Sequence, residues 1–370
     1  MDLSAYLAES IRDIMAKAYL NVLSNPREAR FMARMQRIMG KAERRRKECL
    51  AKEGLEVPPF LIASIATTCN LQCKGCYARK NGIAGDTPTK TTLTPNQWSS
   101  IFSEAAALGV SFCLLAGGEP LMRRDLLESA AATEDILFPV FTNGTLIGTV
   151  YTEFFKRHLN IIPVISIEGE LSATDDRRGK GVFQRALHAM EQLQKEKLFF
   201  GTSITVTTEN YHKVTSEEFL RHLVSLGCRL VFYVEYVPFD KSTEHLAFRE
   251  EHVAEMEQIL KSRRNQFKEM IFLSFPGDEK ALDGCLAAGR GFFHIGPDGS
   301  AEPCPFSPFS DRNVAQSGLL EALRSPLFRK IRDAHALGCE HTGGCTLYEH
   351  RDEVKTFLTP SPSASPDPLS

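Results

Sequence analysis

The stretch Cys69-Asn70-Leu71-Gln72-Cys73-Lys74-Gly75-Cys76-Tyr77 carries three cysteines at the spacing C-x3-C-x2-C, and an aromatic residue follows the third. The apolar run at 60–66 reads as a buried strand, so the cysteines lie on the loop that leaves its carboxyl end. Three thiolates that converge on one point suit a soft metal centre. They do not complete one, because an iron–sulfur cube normally has four cysteine ligands, as structural zinc does. The stretch therefore predicts a metal site with one position open to another ligand.

From residue 60 to about 270 the chain alternates short apolar runs with helical patterns, which is typical of a parallel sheet with right-handed crossovers. The predicted strands are 61–66, 112–116, 138–142, 162–168, 202–207 and 230–237. The predicted helices lie near 95–108, 122–134, 149–158, 181–197, 215–226 and 248–265. Six units are too few for a full eightfold barrel, so we predict an α/β fold with a partial (β/α)6 TIM-like barrel. The chemistry of such folds lies at the carboxyl ends of the strands, where the cysteine loop begins.

The other predicted strand ends also carry groups that can bind a ligand. Strand two ends in Ala-Gly-Gly-Glu-Pro at 116–120, strand three in Thr-Asn-Gly at 142–144, and strand four in Ser-Ile-Glu-Gly at 166–169. Paired glycines let the backbone approach a ligand closely. The segment Arg-Arg-Gly-Lys-Gly at 177–181 offers guanidinium groups that can grip a carboxylate with two parallel bonds. Together these ends predict a ring of polar groups facing the cysteine loop.

Composition narrows the class of protein. The chain has 370 residues and a formal net charge of −2, which gives no support for nucleic acid as a partner. We expect no membrane span, because no run of about 18 apolar residues is present. Early acidic residues and the lack of a signal-peptide core predict a cytoplasmic protein. Its ten cysteines are then more typical of metal ligands or core residues than of disulfides.

The first 50 residues show helical patterns, interrupted at Asn25-Pro26. The second predicted helix, which starts at Pro26, is rich in arginine and lysine. It reads either as a docking surface for an acidic partner or as a solvated helix face.

On these motifs the sequence resembles the radical S-adenosylmethionine (radical SAM) superfamily. The cysteine triad is the signature of that family, and Gly-Gly-Glu-Pro at 117–120 matches it as well. The resemblance covers roughly residues 60–350. It implies that Cys69, Cys73 and Cys76 hold a [4Fe-4S] cluster whose open iron takes the amine and carboxylate of SAM. Reductive cleavage of SAM then yields a 5′-deoxyadenosyl radical that abstracts hydrogen from a substrate.

The resemblance also implies which residues contact SAM. The expected contacts are Gly117, Gly118 and Glu119 to the methionyl amine, Ser166 and Arg178 to the methionyl end, Asn143 to the ribose or carboxylate, and the backbone of Tyr77 to the adenine. For Ser166 and Asn143, capping of a strand end is the alternative.

A second cysteine set lies near the carboxyl terminus and comprises Cys285, Cys304, Cys339 and Cys345. With Gly299 and a predicted hairpin around Pro297-Asp298-Gly299, this set resembles the SPASM or twitch extension of radical SAM enzymes. Four cysteines support one auxiliary [4Fe-4S] cluster rather than the two of a full SPASM domain. His341 or His350 could substitute as ligands, and a structural zinc site or paired core cysteines are the alternatives.

We therefore divide the chain into four parts. These are an N-terminal helical extension at 1–55, a radical SAM core at 56–270, an auxiliary-cluster domain at 271–352 and a disordered proline-rich tail at 353–370.

The function implied is that of a radical SAM enzyme acting on a peptide or protein, with maturation of a tetrapyrrole or pterin cofactor as the alternative. A second hypothesis, from a different functional class, is a non-catalytic iron–sulfur carrier. The polar groups at the strand ends argue against it, because a carrier needs no ligand pocket. The partners expected are a low-potential electron donor of flavodoxin or ferredoxin type and a peptide or small-molecule substrate. Glu235, Asp240 and Asp278 are unranked candidates for a proton-transfer residue.

Overall fold

The computed structural model of the chain describes residues 26–85, 91–277, 284–334 and 345–358. Its strands are β1 (Phe60–Ala66), β2 (Phe112–Gly117), β3 (Phe138–Thr142), β4 (Ile161–Ile167), β5 (Gly201–Val206), β6 (Leu230–Glu235), β7 (Ile271–Phe275), β8 (His294–Ile295) and β9 (Ala301–Glu302). They form one nine-stranded sheet in the order β7-β6-β5-β4-β3-β2-β1-β8-β9. Neighbouring strands from β7 to β8 are parallel, whereas β8 and β9 pair as an antiparallel hairpin.

This sheet confirms the α/β class and the partial barrel, and the six predicted strands correspond to β1–β6 with small shifts at their ends. The sequence prediction misses β7, which pairs with β6. No helical pattern follows Ile271–Phe275, so the alternation of strand and helix gives no signal there. The hairpin predicted around 297–299 is present as β8 and β9.

Helices fill the connections between the strands. They are α1 (Pro26–Glu53), α2 (Tyr77–Lys80), α3 (Pro95–Leu108), α4 (Arg124–Ala132), α5 (Thr149–Arg157), α6 (Leu171–Arg178), α7 (Val182–Lys195), α8 (Tyr211–Val214), α9 (Glu217–Ser225), α10 (Glu250–Gln266), α11 (Val314–Leu323), α12 (Pro326–Asp333), α13 (Thr346–Glu349) and α14 (Arg351–Thr356). Two short 3-10 helices span Pro120–Met122 and Lys241–Leu246. The sequence prediction misses α6, whose one buried residue, Thr174, gives no apolar periodicity.

Helix α1 closes the end of the barrel that lies opposite the cysteine loop. Its apolar side packs against residues at the amino ends of β3 and β4, in a cluster of Phe31, Met32, Met35, Ile38, Leu137 and Ile162. The Nζ of Lys41 and the Nη2 of Arg45 lie 3.1 and 3.0 Å from the carboxylate oxygens of Asp135, just before β3. Two basic residues of α1 therefore anchor the helix to the barrel, a role that neither sequence interpretation included.

The C-terminal region continues the sheet. Strand β7 extends one edge, and the β8–β9 hairpin extends the other through the pairing of β8 with β1. The predicted domain boundary at 270/271 thus falls inside one continuous sheet.

The predicted disordered tail begins too early. Val354 in α14 is fully buried in the main core, and Lys330 Nζ donates to the carbonyl of Phe357 at 2.9 Å. Disorder is therefore wrong for 353–358, because this turn of helix has an apolar residue to bury. Residues 359–370 and the helix predicted before Pro26 lie outside the described residues. In the part of the chain that is described, no helix is long and apolar enough to cross a membrane.

Candidate active site

One open cavity of about 1260 Å³ lies at the carboxyl ends of the strands. Its walls include every residue assigned by sequence to the first cluster and to SAM, namely Cys69, Cys73, Cys76, Tyr77, Gly117, Gly118, Glu119, Asn143, Ser166 and Arg178. Residues from the ends of several strands therefore surround a single open space.

The cysteine loop, residues 69–77, is held by the ends of several other elements. The backbone N–H of Lys74 donates to the carbonyl of Arg177 at 2.8 Å, and the amide of Asn143 donates to Asn70 Oδ1 at 2.8 Å. Gly75 has a left-handed φ of +64°, and a Cβ there would lie 3.0 Å from the Tyr236 ring. The loop is thus fixed by the segments after β3, β4 and β6.

The thiols of this loop are partly withdrawn from water. Burial raises the pKa of Cys69 to about 11 and also raises the pKa of Cys73. Because the thiolate is the metal ligand, cluster loading must displace these protons. Among the described residues, no three His, Cys, Asp or Glu side chains converge as the ligands of a single ion would. The three thiols therefore line the cavity from a single loop.

Gly117 and Gly118 are required by the backbone around them. A Cβ on Gly118 would lie 2.0 Å from the carbonyl oxygen of Thr68, and one on Gly117 would lie 2.4 Å from that of Ala66. Gly117 also has a φ of +109°, which favours glycine. The close approach seen here is between the end of β2 and the start of the cysteine loop, whereas the predicted approach to the SAM amine stays a prediction.

Glu119 is a buried carboxylate that joins the ends of β2 and β3. It accepts hydrogen bonds from Thr142 Oγ1 at 2.7 Å, from the backbone N–H of Asn143 at 2.8 Å and from that of Leu121 at 3.0 Å. Burial raises the pKa of this carboxyl, and the three donors oppose that rise. A carboxylate has about four acceptor positions, so one remains for an ammonium group.

Arg178 lies in the cavity wall, but it is not free for a ligand carboxylate as the sequence analysis assumed. Its Nε and Nη2 donate to Glu168 Oε1 at 2.9 and 2.6 Å, and Arg177 Nη1 donates to the same oxygen at 2.5 Å. Glu168 is buried, with 4% of its side chain exposed. A ligand carboxylate would therefore have to share Arg178 with Glu168.

The pairing of Glu168 with Arg177 and Arg178 was not predicted from the sequence. The sequence pattern for this pairing was present, because an acidic residue at a strand end followed by two arginines predicts a charge pair.

Ser203 and Thr205 of β5 also lie at the cavity and were not predicted as site residues. Ser166 Oγ lies 2.8 Å from Ser203 Oγ, and Arg177 Nη1 donates to Thr205 Oγ1 at 2.6 Å. Period-two alternation along β5 could have placed both residues on the cavity side.

Among the described cysteines of the C-terminal region, Cys304 comes close to Tyr77, whose hydroxyl is also near Cys76. Cys304 is buried, and its thiol contacts that of Cys345, with Cys285 close enough to act on it electrostatically. Burial and these two thiols raise the pKa of Cys304 well above its usual range. The Tyr77 ring packs on Phe306 with ring centroids 5.4 Å apart.

The other ligands predicted for the C-terminal site are not seen to join it. Cys339 and His341 lie outside the described residues. His350 Nδ1 lies 3.5 Å from Glu353 Oε2.

Two of the three proton-transfer candidates, Glu235 and Asp240, do not line the cavity. Asp240 is exposed and accepts from the backbone N–H of Ser242 at 2.9 Å, and Glu235 is buried at the end of β6 without lining the cavity wall. Asp278 lies outside the described residues.

The geometry defines the class of protein: a partial barrel whose strand ends surround a three-cysteine loop and a ligand cavity. The model of the Radical SAM superfamily matches residues 63–223. The matched residues run from β1 to α9 and include the cysteine loop, so the core of this chain is similar to that superfamily.

Relatives are similar over most of their length. The AdoMet-dependent heme synthase of Methanosarcina barkeri is 28% identical over 320 residues, which cover 79% of this chain and 89% of that protein. The mycofactocin maturase MftC of Mycolicibacterium smegmatis is 25% identical over 345 residues, covering 86% of this chain and 83% of that protein.

The fold is shared with a solved structure from Streptococcus suis. SuiB bound to S-adenosylmethionine has a TM-score of 0.65 and 18% identity, covering 82% of this chain and 76% of SuiB. SuiB bound to the precursor peptide SuiA has a TM-score of 0.63 and 17% identity, covering 92% of this chain and 84% of SuiB. The likeness therefore extends past the barrel into the C-terminal region.

Proposed function

We propose that the cavity binds SAM beside a [4Fe-4S] cluster held by Cys69, Cys73 and Cys76, and that the substrate is a peptide or protein. The observation that carries the proposal is the meeting of this cysteine loop with Gly117–Glu119, Asn143, Ser166 and Arg178 around one cavity. When bound, the cluster and SAM supply the hydrogen-abstracting radical of this family.

In this proposal, different residues of the cavity wall have different roles. The cysteine loop supplies thiolates, and the Glu119 carboxylate offers an acceptor to the methionyl amine. Arg178, oriented by Glu168, presents a cation at the opposite wall. Apolar side chains such as Phe141, Phe232 and Phe275 line the cavity and exclude water from the reacting groups.

A peptide substrate is supported by two relatives of the chain. MftC is named a maturase, and SuiB is seen with its precursor peptide. Helix α1 packs at the amino ends of β3 and β4 and does not line the cavity, so it does not supply a peptide-binding surface there. We infer that the peptide enters over the strand ends themselves.

A tetrapyrrole substrate is the second candidate, because a heme synthase is 28% identical over 320 residues. A tetrapyrrole bears several carboxylates, which call for cations in the wall. Among the described residues, the cations that line the cavity are Arg177 and Arg178, and both are paired with Glu168. This charge balance favours the peptide.

We propose further that Cys285, Cys304, Cys339 and Cys345 hold one auxiliary [4Fe-4S] cluster. The contact of Cys304 with Cys345 and the nearness of Cys285 support a shared site. An electron donor of flavodoxin or ferredoxin type would supply the electron for SAM cleavage.

Anaerobic reconstitution tests the proposal. We expect two cubane clusters by iron and sulfide analysis, and reductive cleavage of SAM to 5′-deoxyadenosine. Incubation with short peptides encoded near the gene, and with iron-coproporphyrin in parallel, then separates the two substrates. Failure to form 5′-deoxyadenosine with both clusters loaded would contradict the enzymatic role.

A further inference from the structure

A buried line of polar side chains runs through the core next to the cavity. Ser64 Oγ on β1 lies 2.8 Å from His294 Nε2 on β8, and His294 Nδ1 lies 2.7 Å from Glu302 Oε2 on β9. These three side chains, called the Ser64–His294–Glu302 line below, belong to residues no more than 1% exposed. The function proposed above gives them no role.

The line has an end at the cavity and an end near the surface. At the cavity, the Tyr77 hydroxyl interacts with Ser64 and with the backbone of Gly117. At the other end, Ser300 Oγ donates to Glu302 Oε1 at 2.9 Å or to Asp298 Oδ1 at 2.7 Å in the hairpin turn. The line thus connects a cavity wall to the turn of the C-terminal hairpin.

The spacing resembles that of a serine–histidine–acid triad. Ser64, however, is fully buried and does not line the cavity, so no substrate can reach its hydroxyl. Nucleophilic catalysis is therefore not a role for this serine. Its hydroxyl instead lies between the imidazole of His294 and the hydroxyl of Tyr77.

The line joins the two strands that lead to the two cysteine sets. Strand β1 runs into the cysteine loop, and β9 ends two residues before Cys304. A buried imidazole and carboxylate are unfavourable unless every partner is present, so this arrangement restricts the core to one geometry. Tyr77 lies where the two sets approach each other, with its ring against Phe306.

We propose that Ser64, His294 and Glu302 are positioning residues that act through the Tyr77 hydroxyl to set the SAM-binding wall of the cavity. The inference rests on the proposed SAM site. It assigns a role in SAM affinity to residues that touch neither SAM nor a cluster.

A double-mutant cycle on the cluster-loaded protein tests this role. The dissociation constant for SAM is measured by equilibrium dialysis for the wild type, His294→Leu, Tyr77→Phe and the double variant, with iron content and unfolding midpoint recorded for each. We expect each single change to weaken SAM binding by about tenfold, and the double variant to be no weaker than either single variant. Residues that act through one chain of bonds lose the same contact only once.

Two further variants keep the test decisive. Ser64→Ala removes the middle link with little change in volume, and it should reproduce the weakened binding even if His294→Leu does not fold. His222→Leu makes the same chemical change at an exposed position of α9, and it should leave SAM binding unaltered.

The outcomes separate this inference from the proposed function. A loaded wild type that binds no SAM overturns both claims. If the wild type binds SAM and the Ser64 and His294 variants lose only stability, with SAM affinity unchanged or with effects that multiply in the double variant, the positioning role alone is overturned.

Discussion

Cys69, Cys73 and Cys76 share one loop, whereas Cys285, Cys304 and Cys345 come from separate segments of the C-terminal region. The first set lines an open cavity, and its loop is held by polar contacts from neighbouring strand ends. In the second set, Cys304 is fully buried against Cys345, within the main core. A local set at an open cavity suits a metal group that must accept a further ligand, and a set that the fold assembles around one buried cysteine suits a group whose ligands are complete.

Replacing Cys73 with alanine should cause the largest loss of activity among these variants, and it should disable only the first cysteine set. Loss of outer-shell partners of a metal already lowers activity about 10–100-fold, so loss of a direct ligand should lower SAM cleavage by at least about 100-fold. The measurement is 5′-deoxyadenosine formed per protein with excess reductant. Cys113→Ala, at a buried cysteine away from both sets, is the control. Continued SAM cleavage by Cys73→Ala would remove the central assignment.

Cys304→Ala should break the second set and leave the first one working. We expect bound iron to fall by about half, because four of eight irons are lost, while SAM cleavage stays within a few-fold of the wild type. Iron analysis and electron paramagnetic resonance of the reduced protein report the two clusters separately. If this variant loses SAM cleavage as fully as Cys73→Ala does, the two sets are one functional unit and the comparison fails.

The Glu168→Gln variant tests how strongly SAM binding at the first site depends on the charges around it. The change leaves Arg177 and Arg178 without their buried counter-charge, and a hydrogen bond to a charged group contributes about 1.5–3 kcal/mol. We expect SAM to bind about tenfold more weakly, as measured by equilibrium dialysis.

Glu170→Gln is the matched control for that change. It removes an exposed carboxylate that lies 2.6 Å from Lys213 Nζ, and such pairs contribute little. Equal effects of the two variants would show that the Glu168 pairing has no special role at the cavity.

The contrast between the two sets also explains what the sequence could predict. The cysteine loop and the Gly-Gly-Glu turn were found because short spacing and the parallel order of strands bring their positions together without further information. The pairing of Arg178 with Glu168 was missed because a guanidinium beside a cavity can bind a ligand carboxylate as well as a protein carboxylate, and the sequence does not distinguish the two. The contact between Ser64 and His294 links residues 230 apart, and no local pattern predicts such a contact.

The C-terminal end shows the same limit of sequence-based prediction, because the burial of its residues was not predicted. The predicted disorder at 353–370 followed composition, yet Val354 is fully buried because the helix carrying it packs on the core. Composition describes a segment by itself, whereas burial depends on the surface that the rest of the chain offers. The second cysteine set is subject to the same rule, since its geometry exists only after the sheet has formed.

The smallest effect is expected from removing a hydrogen bond that directly connects the helix after the cysteine loop with the segment that carries Cys304. Asn81, at the end of α2, donates its amide to the carbonyl of Pro305 at 2.7 Å, next to Cys304. Asn81→Ala removes one neutral hydrogen bond, so urea unfolding of the apo protein should show a loss of about 1 kcal/mol, with SAM binding to the loaded protein unchanged. That result would leave the packing of Tyr77 on Phe306 as the main join between the two sets. A loss of more than about 3 kcal/mol, or weaker SAM binding, would instead mean that the second set helps to shape the first, and that the open site depends on the closed one.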